Sequence, residues 1–338
     1  MSELVLIADA GDGTITTLRR DGEALTPVAT SPVGPGVGTF AVDADRDLVL
    51  AGHKAPEGGS PGVATLRLDR ATGALTQVAH ADVPAAMTYL ALTDDRRFLL
   101  GASYGGGVGL VWPVADDGSL GEAVARVEHP NLHCVVTSGD RVYFVSLGAD
   151  LVDQQRIAPD GTLTPIADPL RLPTGVGARH LVLDGANAYL VTEYTAEVYH
   201  LTIGDDGALT RHNAVAVVDP SAHLEPSRLG ADPKAEGLIW GADLHRAGRF
   251  LLASERNAST VASVVVGDDG ALGIVAAIAP VPTQPRGFAV TPDGGYAVVV
   301  GEKSTDAALL RVEADGHLTQ VATAPIGHGA NWVRVVAD

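Results

Sequence analysis

The chain has 338 residues, of which 46% are apolar and 19% charged, and its 40 glycines and 20 prolines predict many turns. Its formal net charge of −18 argues against nucleic acid or an anionic membrane surface as a partner, because like charges repel. The single cysteine, Cys134, excludes an intrachain disulfide framework and any CxxC metal or redox site.

The first residues, MSELVLIADAGDG, lack the basic and long apolar regions of a signal peptide. No run of 18 apolar residues suggests a transmembrane helix. We therefore expect a soluble, cytoplasmic protein.

A short signature recurs seven times along the chain: an Asp-Gly or Thr-Gly turn, then a leucine, often followed by threonine. The marker leucines are Leu25, Leu75, Leu120, Leu163, Leu209, Leu272 and Leu318. Most steps between them are similar, but the step from Leu209 to Leu272 is longer and contains a Pro- and charge-rich stretch, Asp219 to Gly237. We interpret that stretch as a loop inserted into one repeat.

Between the signatures lie strand-turn-strand units with alternating apolar and polar residues and no capped helical period. Four strands per repeat and seven repeats predict an all-β, seven-bladed β-propeller, formed by residues 1–338 as one domain. The last segment, ANWVRVVAD, supplies a first strand, and the opening LVLIADA supplies a second strand. Their pairing would close the ring, whereas a β-solenoid usually has shorter repeats and needs capping ends.

One hairpin illustrates where chemistry is expected. The stretch Val176–Tyr194 predicts strands His180–Leu183 and Ala188–Thr192 joined at Asp184-Gly185, which brings Arg179 and Glu193 side by side. Alone, this pair is most simply a surface salt bridge. In a propeller, however, the starts of innermost strands and the ends of second strands meet around the axis. The corresponding positions include Thr39, Thr88, His133, Arg179, Asp243, Arg286 and Asn331 at strand starts, and His53, Tyr104, Glu193, Glu255, Arg256, Glu302 and Lys303 at strand ends.

Three arginines, a lysine and two histidines thus converge in an acidic protein. A polar, water-facing mouth is the simpler interpretation, but such a local reversal of sign is what an anionic ligand requires. Asp243 and His245 could share a divalent cation with Glu193 or form a plain hydrogen-bonded pair; otherwise no cofactor is expected. The run Tyr104–Gly107 lacks the lysine and helix of a phosphate loop and is interpreted as a turn.

With these residues identified, the chain resembles the seven-bladed lactonase family, which contains propeller-type 6-phosphogluconolactonases and carboxymuconate lactonizing enzymes. The likeness is densest in the runs Gly177–His180, Trp240–His245, Glu255–Ser259 and Thr283–Phe288, and it extends to Lys303-Ser304. The first half departs from the family, the segment Gly148–Arg156 is unlike the usual blade, and Glu302 stands where the family often has glutamine.

This resemblance implies a lactonase acting on a small anionic sugar lactone, with 6-phosphoglucono-1,5-lactone as the leading substrate. His133 or Glu193 would be the general base, Arg179 and Arg256 would stabilise the oxyanion, and Arg286 with Lys303 would hold the distant anionic group. The remaining expected substrate-binding residues are Tyr104, His180, Asp243 and His245. The alternatives are an aldarolactone or muconolactone enzyme, and a non-catalytic propeller presenting a face to a protein partner, which the 4% aromatic content disfavours. The oligomeric state stays open.

Overall fold

The repeated signature forms the turn into the outer strand of each blade. Gly207 and Gly270 adopt the left-handed region, with φ of 94° and 83°. The preceding carboxylates brace these turns: Asp206 accepts a hydrogen bond from the Ala208 N–H at 2.9 Å, as Asp269 does from Ala271 at 3.0 Å. A glycine is needed here because other residues avoid positive φ, so each Asp-Gly pair marks a chain reversal.

The computed structural model describes residues 2–337, and these form seven antiparallel sheets. The first three strands, which belong to the blade that closes the ring, are β1 (Ser2–Asp9), β2 (Thr14–Asp21) and β3 (Ala24–Pro32). Blade 1 contains β4 (Thr39–Asp43), β5 (Leu48–His53), β6 (Gly62–Leu68) and β7 (Leu75–Asp82). Blade 2 contains β8 (Tyr89–Leu92), β9 (Phe98–Ser103), β10 (Val108–Pro113) and β11 (Ala125–Glu128).

Blade 3 is the least regular, because two short segments share its outer edge. It contains β12 (Leu132–Ser138), β13 (Arg141–Ser146), β14 (Leu151–Ile157), β15 (Leu163–Pro165) and β16 (Leu170–Arg171). Blade 4 contains β17 (Ala178–Asp184), β18 (Asn187–Thr192), β19 (Glu197–Ile203) and β20 (Leu209–Ala216). The predicted hairpin of blade 4 is confirmed, with both strands longer than expected.

The stretch Asp219 to Gly237 follows blade 4 and contains a 3-10 turn, Pro220–Ala222, and one short helix, α1 (Pro233–Glu236). Blade 5 contains β21 (Gly241–Ala247), β22 (Phe250–Glu255), β23 (Thr260–Val266) and β24 (Leu272–Pro280). Blade 6 contains β25 (Phe288–Val290), β26 (Tyr296–Val299), β27 (Asp306–Val312) and β28 (Leu318–Pro325). Within residues 2–337, no helix is long and apolar enough to span a membrane.

The two ends of the chain close the ring. The last strand, β29 (Ala330–Ala337), pairs antiparallel with β1 to complete blade 7, in the sheet order β29-β1-β2-β3. Neighbouring innermost strands contact one another around the axis, including β29 with β4. The predicted seven-bladed propeller and its closure by the terminal strands are therefore confirmed.

The core is divided into seven buried clusters, one between each pair of neighbouring blades. Between blades 7 and 1, for example, Leu6 and Trp332 pack with Phe40 and Val49. This division follows from the strand pattern, because alternate side chains point to opposite faces and each blade has a neighbour on both sides. Most of the buried apolar surface therefore holds the blades to each other.

Several innermost strands have a bulge at the end where they begin. In blade 3 the register shifts between Leu132 and Cys134, and in blade 4 between Ala178 and His180. Similar shifts affect Gly241–Leu244 of blade 5 and the closing strand at Asn331. A bulge leaves an extra residue without a paired partner and redirects its side chain. The extra residues in blades 3 and 4 are His133 and Arg179.

Aromatic rings fill the axis below these bulges. Trp332 is 5% exposed, its Nε1–H donates to the Phe40 carbonyl at 3.0 Å, and its ring meets Tyr89 edge-on with centroids 4.9 Å apart. Tyr89 in turn meets His180 at 5.3 Å. These rings pack near the axis among the innermost strands of three blades.

We expect Trp332→Ala to lower the free energy of unfolding by about 3–5 kcal/mol, because it leaves a cavity in the packed axis. Urea unfolding followed by circular dichroism measures this loss. The matched control is Ile274→Ala, since Ile274 is 74% exposed and its truncation should change stability by no more than about 0.5 kcal/mol. Equal effects of the two substitutions would contradict the packing role.

Candidate active site

A pocket of about 750 Å³ opens at the end of the ring where the innermost strands begin. Six of the sequence-predicted site residues line it: Tyr104, His133, Arg179, Glu193, Arg256 and Arg286. Four others are absent from its lining: His180, Asp243, His245 and Lys303. The strand pattern thus brought most of the expected residues to one cavity, at different depths.

Arg179 is the most deeply buried cation of the site, with 1% of its surface exposed. Its Nε donates to Glu193 at 2.9 Å, as the hairpin register predicts. Its Nη1 donates to His180 Nε2 at 3.2 Å and to the Ala242 carbonyl. These three acceptors on two blades hold the guanidinium plane in one orientation at the pocket wall.

A buried hydrogen-bonded triad lies behind Arg179. His180 Nδ1 donates to Asp243 at 2.8 Å, and His245 Nε2 donates to the other oxygen of the same carboxylate at 3.1 Å. The Phe288 N–H also donates to Asp243, at 3.2 Å. Burial alone would raise the pKa of Asp243, but the two histidines outweigh it and hold that pKa well below its usual value.

The same contacts define the state of His180. Its Nδ1 carries a hydrogen and donates a hydrogen bond to Asp243, so its Nε2 is unprotonated and accepts a hydrogen bond from Arg179 Nη1. Burial, followed by the charge of Arg179, lowers the pKa of His180 to about 4. His180 is therefore neutral at physiological pH and serves as a link between the Asp243 carboxylate and the arginine.

His133 lines the pocket and has no hydrogen-bond partner among residues 2–337; its Nδ1 is buried. Its ring lies beside His180, with centroids 5.1 Å apart, and meets Tyr104 edge-on at 6.0 Å. The pKa of His133 is lowered well below 6.5, mainly by burial and next by the charge of Arg179. A neutral imidazole with an unused nitrogen can accept a proton.

Two further arginines share one carboxylate. Arg256 Nη2 and Arg286 Nη1, the latter at 3.3 Å, both donate to Glu302, which also accepts from the Gln284 amide at 2.6 Å. The Arg256 guanidinium carbon lies 3.2 Å from the centre of the Trp240 ring. Burial and the charge of Arg286 lower the pKa of Arg256 to about 9, so it remains protonated at neutral pH.

The residues do not assemble a cation site. Glu193 is bound to Arg179, whereas Asp243 accepts from two histidines, so the three side chains considered for a shared cation have separate partners. Among residues 2–337, no three His, Cys, Asp or Glu side chains are grouped as metal ligands. The hydrogen-bonded Asp243–His245 pair is the arrangement observed.

Sequence reasoning gave no role to four pocket or supporting residues. Trp240 and Lys54 line the cavity, as does Asn331, whose Oδ1 is buried without a partner. Glu302 lies behind it and joins two arginines. Their positions at strand ends and starts were the available signal for Asn331 and Glu302, and Lys54 directly follows the strand-end residue His53.

Comparison with known proteins identifies the family. Residues 6–335 match the family model described as Lactonase, 7-bladed beta-propeller. The chain belongs to this family of seven-bladed propeller lactonases. The protein named 6-phosphogluconolactonase from Serratia proteamaculans is 27% identical over 94% of this chain and 93% of its own length. The protein of the same name from Klebsiella pneumoniae (strain 342) is 30% identical over 81% of this chain and 82% of its own length.

Solved structures share the fold of this lactonase-family chain over its whole length. The periplasmic gluconolactonase of Pseudomonas aeruginosa superposes with a TM-score of 0.87 at 24% identity, covering 100% of this chain and 99% of its own. A protein from Lactobacillus plantarum superposes with a TM-score of 0.86 at 23% identity, covering 100% of both chains. At these identities the likeness establishes the propeller architecture.

We expect Asp243→Asn to lower the free energy of unfolding by about 3–5 kcal/mol, because removal of one member of a buried polar network leaves its partners unpaired. Guanidinium unfolding at neutral pH measures the change. Asp268→Asn is the matched control, since Asp268 is exposed in a turn, and it should stay within about 0.5 kcal/mol of the wild type. A loss no larger than that of the control would show that the triad is not structural.

Proposed function

We propose that this chain is a lactonase that hydrolyses 6-phosphoglucono-1,5-lactone to 6-phosphogluconate. The observation that carries the proposal is the neutral, unpartnered imidazole of His133 in a pocket that also presents Arg179, Arg256 and Arg286. A proton acceptor beside fixed positive charge suits the addition of water to an ester carbonyl. Family membership and the names of the relatives from Serratia and Klebsiella support the same reaction and substrate.

His133 is the general base in this proposal. Glu193 already accepts a hydrogen bond from the buried Arg179. His133 has no competing partner among residues 2–337, and burial keeps its ring neutral. Removal of a proton from water by the His133 imidazole would leave hydroxide to attack the lactone carbonyl carbon. Glu193 then has the separate task of orienting Arg179.

Arg179 and Arg256 would stabilise the oxyanion that forms when water adds. Both guanidiniums are nearly fully buried, and hydrogen bonds and the Trp240 ring fix their positions before substrate binds. Arg256 Nε is a buried N–H without an acceptor among residues 2–337, and is thus available to a ligand oxygen. Preorganised charge in a site shielded from water is worth more than the same charge in solvent.

Collapse of the tetrahedral intermediate would complete the hydrolysis. The bond between the carbonyl carbon and the ring oxygen breaks, and the proton held by His133 passes to that oxygen, which becomes a hydroxyl. The carbonyl carbon becomes a carboxylic acid, which ionises at neutral pH and releases one proton. No covalent enzyme intermediate is needed. The run 101–105, GASYG, matches a serine-nucleophile motif in sequence, but a turn and no helix follows it, and the Ser103 hydroxyl donates to the Ala86 carbonyl at 2.8 Å.

The other predicted residues take supporting places in this proposal. Asn331, with its unpartnered Oδ1, and the Tyr104 hydroxyl are suited to bind sugar hydroxyls, while Arg286 adds positive charge at the pocket wall. His180, Asp243 and His245 position Arg179 from behind. Lys303 lies outside the pocket lining and receives no role, and a cytoplasmic location remains a prediction from the sequence.

We expect His133→Asn to lower kcat for 6-phosphoglucono-1,5-lactone by about 10²- to 10⁴-fold, because it removes the proton acceptor. Arg256→Met should lower kcat by about 10²- to 10³-fold through loss of oxyanion stabilisation. Proton release in weakly buffered solution, corrected for spontaneous opening of the lactone, measures both rates.

Arg228→Met is the control, because Arg228 is 64% exposed in the loop after blade 4 and should leave the rate unchanged. Thermal unfolding of each variant separates loss of chemistry from loss of fold. Absence of acceleration by the wild-type protein would refute the proposed reaction, and full activity of His133→Asn would refute His133 as its general base.

The pH dependence of the rate tests the base more directly. Because the base must be unprotonated and the pKa of His133 is lowered, kcat/KM should rise with pH through a value well below 6.5 and then level off. Arg286 is one of the cations that lower this pKa, so Arg286→Met should move the acid limb to higher pH. Unphosphorylated glucono-1,5-lactone is the substrate of choice, since its own charge does not change there. An acid limb that is unmoved in Arg286→Met and Arg228→Met alike would argue against His133.

A further inference from the structure

We propose that the phosphate of the substrate binds on the blade 1 wall of the pocket, at Lys54 and the backbone N–H of Gly36. This inference rests on the proposed function and adds to it the orientation of the substrate. The lactone end would face the arginines of blades 4 and 5, and the phosphorylated end would point across the axis.

Charge balance around the pocket singles out Lys54. Arg179 is paired with Glu193, and Arg256 and Arg286 share Glu302. Lys54 also lines the pocket, but among residues 2–337 it has no carboxylate or other side-chain partner. Its ammonium is therefore the one cation of the pocket lining without an ion pair among the described residues. A phosphate monoester carries a charge of about −1.5 to −2 at neutral pH and would neutralise it.

The backbone around Lys54 is held in place before any ligand binds. Its N–H donates to the Pro35 carbonyl at 2.9 Å, and its own carbonyl accepts from His53 Nδ1 at 2.9 Å. His53 is 7% exposed, and its Nε2 lies 3.1 Å from His80 Nε2. The start of the side chain is thus fixed to a buried strand end, although the ammonium itself is solvent-accessible.

The loop beneath Lys54 provides a second donor. Gly36 has a φ of 60°, lines the pocket, and its N–H has no acceptor among residues 2–337. A methyl group at Gly36 would lie 2.8 Å from the Lys54 Cδ, so glycine allows the lysine stem to pack on the loop. A free backbone N–H beside a lysine is a common way to bind phosphate oxygens.

Ring geometry supplies the direction. In a closed ring of seven blades, blade 1 lies opposite blades 4 and 5, which carry Arg179 and Arg256. A ligand whose carbonyl meets those arginines therefore extends towards blade 1. Two other cations are less suited to bind the distal phosphate. Arg286, on blade 6, is already paired with Glu302, and Lys303 is absent from the pocket lining.

The chain provides a matched set for the test, because its three lysines are Lys54, Lys234 and Lys303. Lys54→Met should raise KM for 6-phosphoglucono-1,5-lactone about ten- to a hundred-fold and leave kcat nearly unchanged, since the contact is the same in ground and transition states. KM for unphosphorylated glucono-1,5-lactone should not change. Lys234→Met should change KM for neither substrate, because the Lys234 ammonium donates to the Asn257 side chain and Lys234 is absent from the pocket lining.

A binding measurement keeps the test independent of turnover. By titration calorimetry, wild-type protein should bind 6-phosphogluconate more tightly than gluconate, and Lys54→Met should remove that preference. Gly36→Ala should weaken 6-phosphogluconate binding as well, by displacing the lysine stem.

Three outcomes would overturn the subsite: equal KM changes for both lactones in Lys54→Met, no change for either, or a selective KM increase in Lys303→Met instead. Failure of wild-type protein to hydrolyse any lactone would refute the proposed function alone, provided that the Lys54-dependent preference for 6-phosphogluconate persists. If that preference is also missing, both proposals fail.

Discussion

Closure of the ring is the constraint on which the rest of the structure depends. A single four-stranded blade has an apolar face on each side and buries neither by itself. Each buried cluster is formed by two neighbouring blades, so the set is complete only when blade 7 contacts blade 1. The pairing of β29 with β1 joins the two ends of the chain at that point. It also sets the beginnings of seven innermost strands around one axis, which creates the pocket.

Within that frame, local irregularities convert strand ends into a site. Regular alternation would send Arg179 and His180 to opposite faces of blade 4, yet the two side chains contact each other. The bulge at Arg179 permits this, because the extra residue leaves the ladder and turns towards the axis. The similar bulge at His133 brings that ring beside His180. Each bulge interrupts the regular backbone pairing at one residue and directs the side chain of that residue into the pocket.

Burial of so many polar groups is tolerated because most of them satisfy one another. Asp243 accepts hydrogen bonds from two histidines. One of them, His180, also accepts a hydrogen bond from Arg179. Some of the unsatisfied atoms lie where a ligand would bind: His133 Nδ1, Arg256 Nε and Asn331 Oδ1 are buried without partners among residues 2–337 and belong to pocket-lining residues. Unpaired polar groups are destabilising in a folded protein, so substrate atoms that pair with these three groups would contribute to binding. The same region also reverses the sign of a strongly acidic chain, since three arginines pair with only two carboxylates and Lys54 has no carboxylate partner among residues 2–337.

The sequence by itself determined the number of blades, the closure by the terminal strands and the approximate ring of mouth residues, because all three follow from a repeat with a regular spacing. It also determined that Arg179 and Glu193 are neighbours, since an antiparallel hairpin returns the chain to the level at which it began. Only the tertiary structure decided how deep each residue lies. His180, Asp243 and His245 became a buried support, Lys303 remained outside the lining, and Lys54 took a place on the wall. The physical reason is that a repeat specifies position along a strand, whereas bulges and packing between blades determine where each side chain points.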